Sequence, residues 1–125
     1  MGILTLSLLA LAGGLGAAVR FITDGLIRTR FHTALPVSTI LINVTGSLLL
    51  GLLVGLTMTG KVHAELEAVL GTGFLGGYTT FSTASVETVR LIQDGRTGRG
   101  LVNAVGTVLL SLAAALLGLF LGSIE

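Results

Sequence analysis

Four stretches of the chain are apolar over the length that a lipid bilayer demands. They cover residues 3–23, 36–58, 66–90 and 100–122, and most of the charged residues fall between them. A helix needs roughly 20 residues, at about 1.5 Å each, to cross about 30 Å of hydrocarbon. We therefore predict an all-α membrane protein with four transmembrane helices, organised as a single domain over residues 1–125.

The composition argues against most soluble functions. Only 10% of the residues are charged and 19 of the 125 are glycine, against about 25% charged residues and about 7% glycine in soluble domains. There is no cysteine, and the two histidines lie between the apolar stretches, so neither a thiolate metal site nor a haem ligand inside the membrane is available. The low charge and high glycine content argue against a soluble enzyme, and the chain is predicted not to be an enzyme. The net charge of +1 argues against a nucleic-acid-binding surface.

The basic residues are distributed unevenly between the two sides of the predicted membrane protein. Lys61 lies on one side, and the other six lie on the side of the first and third connections: Arg20, Arg28, Arg30, Arg90, Arg96 and Arg99. Lys and Arg prefer the cytoplasmic side. We therefore predict a multi-pass protein of a prokaryotic inner (plasma) membrane, with both termini outside the cytoplasm.

Polar residues recur every four positions inside the second and fourth stretches. These two ladders consist of Thr39, Asn43 and Ser47, and of Asn103, Thr107 and Ser111. Each trio lies along one helix face over about 12 Å. A single Ser or Thr can bond the carbonyl four residues before it, but two matched ladders that include asparagine favour a pathway for a small anion, lined by uncharged donors.

The third stretch combines glycine with hydroxyl residues. Residues 71–77 contain four glycines, and a run of Ser and Thr follows them. Both glycine and threonine weaken a helix, so we predict a break near Gly76–Thr80. Carbonyl groups released there could hold a cation, and N–H groups an anion. The alternative is that the glycines only allow close helix crossing, as we expect for Gly51, Gly55, Gly118 and Gly122.

Three further residues stand out against this background. Phe81 directly follows the predicted break, where its ring edge could attract an anion or simply pack. Arg20 lies within the apolar frame of the first stretch, so it is functional, paired, or extended to the interface. Glu87 is expected at the mouth of a pathway or at the interface beside Arg90.

Three motifs resemble the signatures of the Fluc (CrcB-type) fluoride channels. They are GGLGAAVRF at 13–21, TILINVTGS at 39–47 and GFLGGYTTFST at 73–83. The resemblance implies an antiparallel, dual-topology dimer of four-helix subunits with fluoride pores and a central, structural Na+ ion. The activity it implies is passive export of cytoplasmic fluoride down its electrochemical gradient.

The resemblance also implies roles for individual residues. Gly76 and Thr79 would offer backbone carbonyls to the sodium ion, and Asn43 would hold the pore wall in place. Arg20 and Glu87 would have structural or vestibule roles. The residues implied at the fluoride pore are Thr39, Asn43, Phe81, Ser82, Thr83, Thr107 and Ser111.

Two positions depart from the family pattern. Ala84 replaces the second phenylalanine of a Phe-Ser-Thr-Phe run, and Asn103 stands where tyrosine is common. A subunit that inserts in both orientations needs balanced charges, whereas this chain is biased. We therefore expect a heterodimer with an oppositely oriented paralogous subunit, with a homodimer as the alternative.

A proton-coupled exporter of the small multidrug-resistance type is the main rival, because it also has four helices and dual topology. That chemistry needs a carboxylate in the first span, and no Asp or Glu lies between Met1 and Thr23. A haem-binding anchor subunit is disfavoured because both histidines lie outside the apolar stretches. Neither rival explains a glycine-rich break followed by hydroxyl residues.

Overall fold

The structure is a computed structural model that describes residues 2–31 and 36–124, and every regular element in those ranges is helical. The elements in chain order are α1 (Ile3–Arg28), α2 (Val37–Met58), α3 (Ala64–Glu67), a π-helical segment (Ala68–Leu75), α4 (Gly76–Tyr78), α5 (Phe81–Gln93) and α6 (Thr97–Ser123). Within the described ranges, α1, α2 and α6 are each long and apolar enough to cross a membrane. The prediction of an all-α membrane protein is confirmed at that level.

Two helices extend beyond the predicted stretches. α1 continues for a further turn, to Arg28, whose Nε donates to Asp24 at 2.8 Å. This i,i+4 ion pair stabilises the last turn of α1. Hydropathy alone does not predict that turn, because its residues are polar. α6 begins at Thr97, directly after a turn at Gly95 with a φ of +79°, a conformation that favours glycine.

The third stretch is built from short helical pieces rather than one helix. α4 ends at Tyr78, and α5 begins at Phe81. Between them, Thr79 and Thr80 are extended, with φ values of −80° and −147°. The break therefore lies within the predicted region near Gly76–Thr80. The π-helical turns before it were not predicted, because a glycine-rich pattern does not distinguish π from α hydrogen bonding.

The described part of the chain is polar inside and apolar outside, the reverse of a soluble domain. Its buried apolar side chains are Ala12, Ile42, Leu75 and Leu91. Its buried polar side chains are Thr5, Ser38, Thr39, Asn43, Asn103 and Thr107. The large Leu, Val and Phe side chains of α1 and α6 are mostly exposed, as expected for surfaces that contact lipid or another subunit.

Glycines bring α2 and α6 into backbone contact. A Cβ atom added at Gly51 would lie 2.0 Å from the carbonyl oxygen of Ala115, and one added at Gly118 would lie 2.1 Å from that of Leu48. A Cβ atom added at Gly55 or Gly122 would also lie too close to the opposite backbone, at 2.6 and 2.3 Å from its nearest atom. Close helix crossing at these four glycines is therefore confirmed.

A second close approach joins α1 to the pieces that precede the break. A Cβ atom at Gly16 would lie 2.0 Å from the carbonyl oxygen of Phe74, and one at Gly77 would lie 2.1 Å from that of Gly13. Glycines 13 and 16 belong to the first family-like motif, and Gly77 belongs to the third. These two motifs meet in space, and their contact fixes the position of the break relative to α1.

Gly118→Ala is expected to destabilise the helix pair, because the added methyl group would overlap backbone that cannot move independently. Overpacking of this kind costs about 1–3 kcal/mol. The measurement is the melting temperature of the purified protein in detergent. Gly98→Ala is the matched control, since Gly98 is also in α6 and has nothing within 4 Å of an added Cβ. Equal melting temperatures for the two variants would contradict the packing argument.

Candidate functional site

The side chain of Asn43 binds both backbone groups of Thr80 at the break. Its Nδ2 donates to the carbonyl oxygen of Thr80 at 2.8 Å, and the N–H of Thr80 donates to Oδ1 at 2.8 Å. In a continuous helix that N–H would bond the carbonyl of Gly76, four residues before it. Asn43 is only 8% exposed, so these bonds are shielded from water. The amide of Asn43 therefore replaces the helical bonding that the break removes.

The two threonines at the break have complementary roles. Thr79 closes α4, because its N–H and its hydroxyl both donate to the carbonyl of Leu75, at 2.9 and 3.0 Å. Thr80 opens α5 as its N-cap, since its hydroxyl accepts from the N–H of Thr83 at 3.2 Å. The break therefore connects two helix ends, and each end is closed by one of the two threonines. The side chain of Ser82, also predicted for the site, lies outside the described residues.

An open groove of about 560 Å³ runs beside the break; we call it the hydroxyl groove. It brings parts of both predicted ladders together, with Asn43 and Ser47 from α2 and Thr107 and Ser111 from α6. Thr79 and Phe81 line the same groove. None of the described residues lining it is charged. The groove therefore offers hydroxyl and amide groups in an environment without a fixed charge.

Three buried oxygen atoms on the α6 ladder have no hydrogen-bond partner among the described residues: Oδ1 of Asn103, Oγ1 of Thr107 and Oγ of Ser111. By contrast, the hydroxyl of Thr57 in α2 donates to the carbonyl of Leu53 at 2.9 Å. A bond from the hydroxyl to a carbonyl of its own helix is the simpler explanation for a Ser or Thr in a membrane helix. Thr107 and Ser111 do not make such a bond. Their hydroxyl hydrogens are therefore not committed to a partner among the described residues.

Phe81 lies at the first position of α5 with its ring 83% exposed. It lines the hydroxyl groove from the surface of the chain. Since so large an apolar ring would not remain in water, lipid or another protein chain must cover it.

The remaining predicted pore residues lie elsewhere. Thr39, 2% exposed, and Thr83 line a separate cavity of about 270 Å³ together with Arg20 and Asp24. This Arg20 cavity shares only Thr80 with the hydroxyl groove among the described residues. The Nε of Arg20 is buried and has no hydrogen-bond partner in the described ranges. The predicted pore set is therefore divided between two spaces on the chain.

Glu87 belongs to a charged cluster that joins three helices. Its Oε2 accepts from Nη2 of Arg28 at 3.0 Å, and Arg28 also binds Asp24. Ser38, near the start of α2, donates to the same aspartate. The sequence predicted Glu87 at the mouth of a pathway or at the interface beside Arg90; in the structure it lines a cavity together with Arg90 and forms an ion pair with Arg28. The i,i+4 spacing of Asp24 and Arg28 was the signal that could have identified this cluster.

The sodium ion that the resemblance implies would need the backbone carbonyls of Gly76 and Thr79 as ligands. The described residues contain no group of three or more His, Cys, Asp or Glu that could hold a metal. Gly76 is exposed, and the N–H that would bond its carbonyl in a helix is bound to Asn43 instead. Unwound backbone carbonyls are typical ligands of Na+ in membrane proteins. The donor set at the break fits such an ion.

The sequence shows a clear relationship to proteins of one family. The family model described as CrcB-like protein, Camphor Resistance (CrcB), matches residues 7–119. The chain is 50% identical to fluoride-specific ion channel FluC 1 of Leifsonia xyli, over 92% of its own length and 84% of that protein. It is 46% identical to FluC 2 of Cutibacterium acnes (96% and 98%) and 40% identical to FluC of Thermus thermophilus (92% of each). The chain therefore belongs to the CrcB family and is a multi-pass protein of a prokaryotic cell membrane, not an enzyme, as its sequence predicted.

Proposed function

We propose that the chain is a subunit of a fluoride-selective channel through which cytoplasmic fluoride leaves passively. The observation that carries this proposal is the pair of buried hydroxyls at Thr107 and Ser111, which have no partner among the described residues and line an uncharged groove. The relatives from Leifsonia xyli, Cutibacterium acnes and Thermus thermophilus are all named fluoride-specific ion channels.

The chemistry of the groove suits a small, strongly hydrated anion. Such an ion crosses an apolar region only if a donor replaces each water as it is lost. Thr107 and Ser111 lie one helical turn apart, about 6 Å along α6, so the second donor is within reach as the first is released. The absence of a positive charge among the described lining residues keeps each site weak enough for fast release. Fluoride that enters a cell as the neutral acid would leave as the ion.

Four membrane spans are proposed: α1, α2, residues 64–93 and α6. The third would carry its break inside the membrane, where each unsatisfied backbone group is costly. The two bonds from Asn43 to Thr80 and the N-cap at Thr80 supply the required partners. This arrangement supports Asn43 as the residue that positions the pore wall.

We propose that the pathway is completed by a second subunit in the opposite orientation. The open side of the hydroxyl groove and the exposed ring of Phe81 support this arrangement, because a partner would cover both. A paralogous partner is favoured over a second copy. The charge bias and Ala84 support that choice.

A structural sodium ion is proposed at the break, held by the carbonyls of Gly76 and Thr79. One chain supplies two of the oxygen ligands, so an antiparallel partner would supply the others. The bound ion would neutralise the carbonyl ends that meet at the subunit boundary. Asn43 contributes indirectly, because it removes the N–H that would otherwise bond the carbonyl of Gly76.

The multidrug-exporter alternative gains no support from the longer α1. The extension does bring Asp24 into the helix. However, this carboxylate accepts hydrogen bonds from Arg28 and Ser38, at the end of the helix. A proton-coupled exporter needs a carboxylate that binds protons and substrate in alternation, and an ion-paired aspartate is poorly suited to that.

The test is release of fluoride or chloride from loaded liposomes, followed with ion-selective electrodes. The chain is reconstituted alone and together with a paralogous CrcB protein from the same genome. Rapid fluoride release without chloride release is the expected result. Equal release of chloride would refute selectivity, and full fluoride release from the chain alone would refute the heterodimer.

A further inference from the structure

The ends of four helices surround an open cavity on the side of the chain that holds its arginines. α1 ends there and α2 begins, and α5 ends close to the start of α6. The cavity has a volume of about 280 Å³, and Arg28, Arg90 and Arg96 line it; we call it the arginine cavity. Because it lies at the ends of the proposed membrane spans, we place it at the level of the lipid headgroups.

Two of the three arginines have no acidic partner among the described residues. Arg28 is held by Asp24 at 2.8 Å and by Glu87 at 3.0 Å. Arg90 and Arg96 are exposed, and neither forms an ion pair or a side-chain hydrogen bond with the part of the chain that the structure describes. Both guanidinium groups therefore have donors that no described residue uses.

The charge of the lining favours an anion with a single negative charge. The described lining contains three arginines and the carboxylates of Glu87 and Asp94, a net charge of +1. Asp24, the second partner of Arg28, lines the Arg20 cavity instead. An anion of charge −1 neutralises the arginine cavity, whereas a more highly charged one would leave excess negative charge beside Asp94.

Apolar side chains lie next to these charges in the same cavity. Ile27 belongs to the last turn of α1, Phe31 follows that helix, and Val37 begins α2. Phe31 is 52% exposed in the isolated chain. A soluble anion such as inorganic phosphate would contact only the arginines. A phospholipid would also cover the apolar side chains with its glycerol backbone and the first carbons of its acyl chains.

We propose that the arginine cavity binds the headgroup of a singly charged anionic phospholipid of the phosphatidylglycerol class. Arg90 and Arg96 donate to the phosphate oxygens, because guanidinium groups match the geometry of phosphate. Ile27 and Phe31 contact the glycerol backbone and the upper acyl chains. Basic pockets between membrane helices on the cytoplasmic side are suited to anionic headgroups, and this side is the predicted cytoplasmic one.

A lipid in this cavity would link the connection between α5 and α6 to the end of α1. Arg90 and Arg96 flank that connection, and Ile27 lies in the last turn of α1. A ligand that binds only the folded state stabilises it, so phosphatidylglycerol is expected to raise the melting temperature. The inference uses the proposed membrane arrangement but not fluoride conduction, so the two are tested separately.

The test measures lipid binding to the purified chain in a neutral detergent, together with its paralogous partner if the assembly requires one. Native mass spectrometry counts the lipids retained, and the melting temperature is followed in parallel. Phosphatidylglycerol is expected to bind about tenfold more tightly than phosphatidylcholine, which has the same phosphate but no net charge. Inorganic phosphate is not expected to displace the lipid.

Arg90→Gln combined with Arg96→Gln is expected to weaken phosphatidylglycerol binding about 25-fold, since each arginine close to an anionic lipid contributes about fivefold. Arg30→Gln combined with Arg99→Gln is the matched control. It removes two charges from the same side of the chain, but neither residue lines the arginine cavity. Binding by the control is expected to stay within about twofold of the original, as for substitutions away from a site.

Several outcomes would overturn this assignment. One is equal binding of the two lipids, and another is unchanged binding in the double variant of Arg90 and Arg96. An equal loss in the control would indicate general attraction to anionic lipid, and displacement by inorganic phosphate would indicate a site for soluble anions. If the double variant does not fold, the single variants, each expected to lose about fivefold, and the lipid comparison on the unmodified chain decide. Failure of fluoride efflux would contradict the proposed function but leave these binding measurements unaffected.

Discussion

Asn43→Leu is expected to abolish selective fluoride efflux and to lower the melting temperature of the channel. Leucine has a similar size but cannot make the two 2.8 Å bonds to Thr80. Each backbone group left buried without a partner costs about 1–3 kcal/mol. Loss of Oδ1 also removes the acceptor that keeps the N–H of Thr80 from the carbonyl of Gly76, and a bond between those two groups would close the break and move Phe81 away from the groove. Liposome efflux and thermal unfolding in detergent measure the two effects.

Thr57→Val is the matched control for Asn43→Leu. Thr57 is also in α2, but its hydroxyl donates to the carbonyl of Leu53 in the same helix. Efflux is expected to stay within about twofold of the original, as is usual for substitutions away from special features. Normal efflux from Asn43→Leu, or an equal loss from Thr57→Val, would contradict the role of Asn43.

The double variant Thr107→Val, Ser111→Ala is expected to lower fluoride efflux about 100-fold without loss of stability. Each hydroxyl is assigned one donor interaction with the ion, and one ordinary hydrogen bond is worth about tenfold. Neither oxygen has a hydrogen-bond partner among the described residues. Removing both oxygens therefore removes two buried polar groups that destabilise the fold when they lack hydrogen bonds. The melting temperature should stay constant or rise.

The combination of lost efflux and kept stability distinguishes a pathway from a structural ladder. If the hydroxyls supported the fold, the melting temperature would fall together with efflux. Each single variant should lie between the original and the double variant. Unchanged efflux in the double variant would contradict the role of the two hydroxyls in the pathway, on which the proposed function depends.

The features that were predictable from the sequence are those set within one helix. The i, i+4 spacing of Asn103, Thr107 and Ser111 places them on one side of α6 whatever else the chain does. All three carry an oxygen without a partner in the described part of the chain. The break near Gly76–Thr80 was likewise predictable, because glycine and threonine weaken a helix locally.

Other features depended on how the helices are rotated and packed against one another. Thr39 belongs to the same ladder as Asn43, yet it lines the Arg20 cavity instead of the hydroxyl groove. Four residues turn a helix about 40° past a full turn. The side chains of one ladder therefore point in gradually different directions and face different neighbouring helices. The π-helical segment before the break and the pairing of Glu87 with Arg28 also depend on contacts between distant parts of the chain.

Residue composition and spacing alone predict a helical chain that is suited to a membrane, weakened at one place in its third stretch and polar along two helix faces. Composition and residue spacing act over a few residues, so those properties need no tertiary contact. Packing of the helices against one another determines that Asn43 binds Thr80, that Thr107 and Ser111 remain without partners in the described ranges, and that the amide nitrogen of Asn103 faces Thr88. Hydrogen bonds between helices depend on the distance and rotation of two separate segments, and neither quantity is encoded in the spacing of residues along one of them.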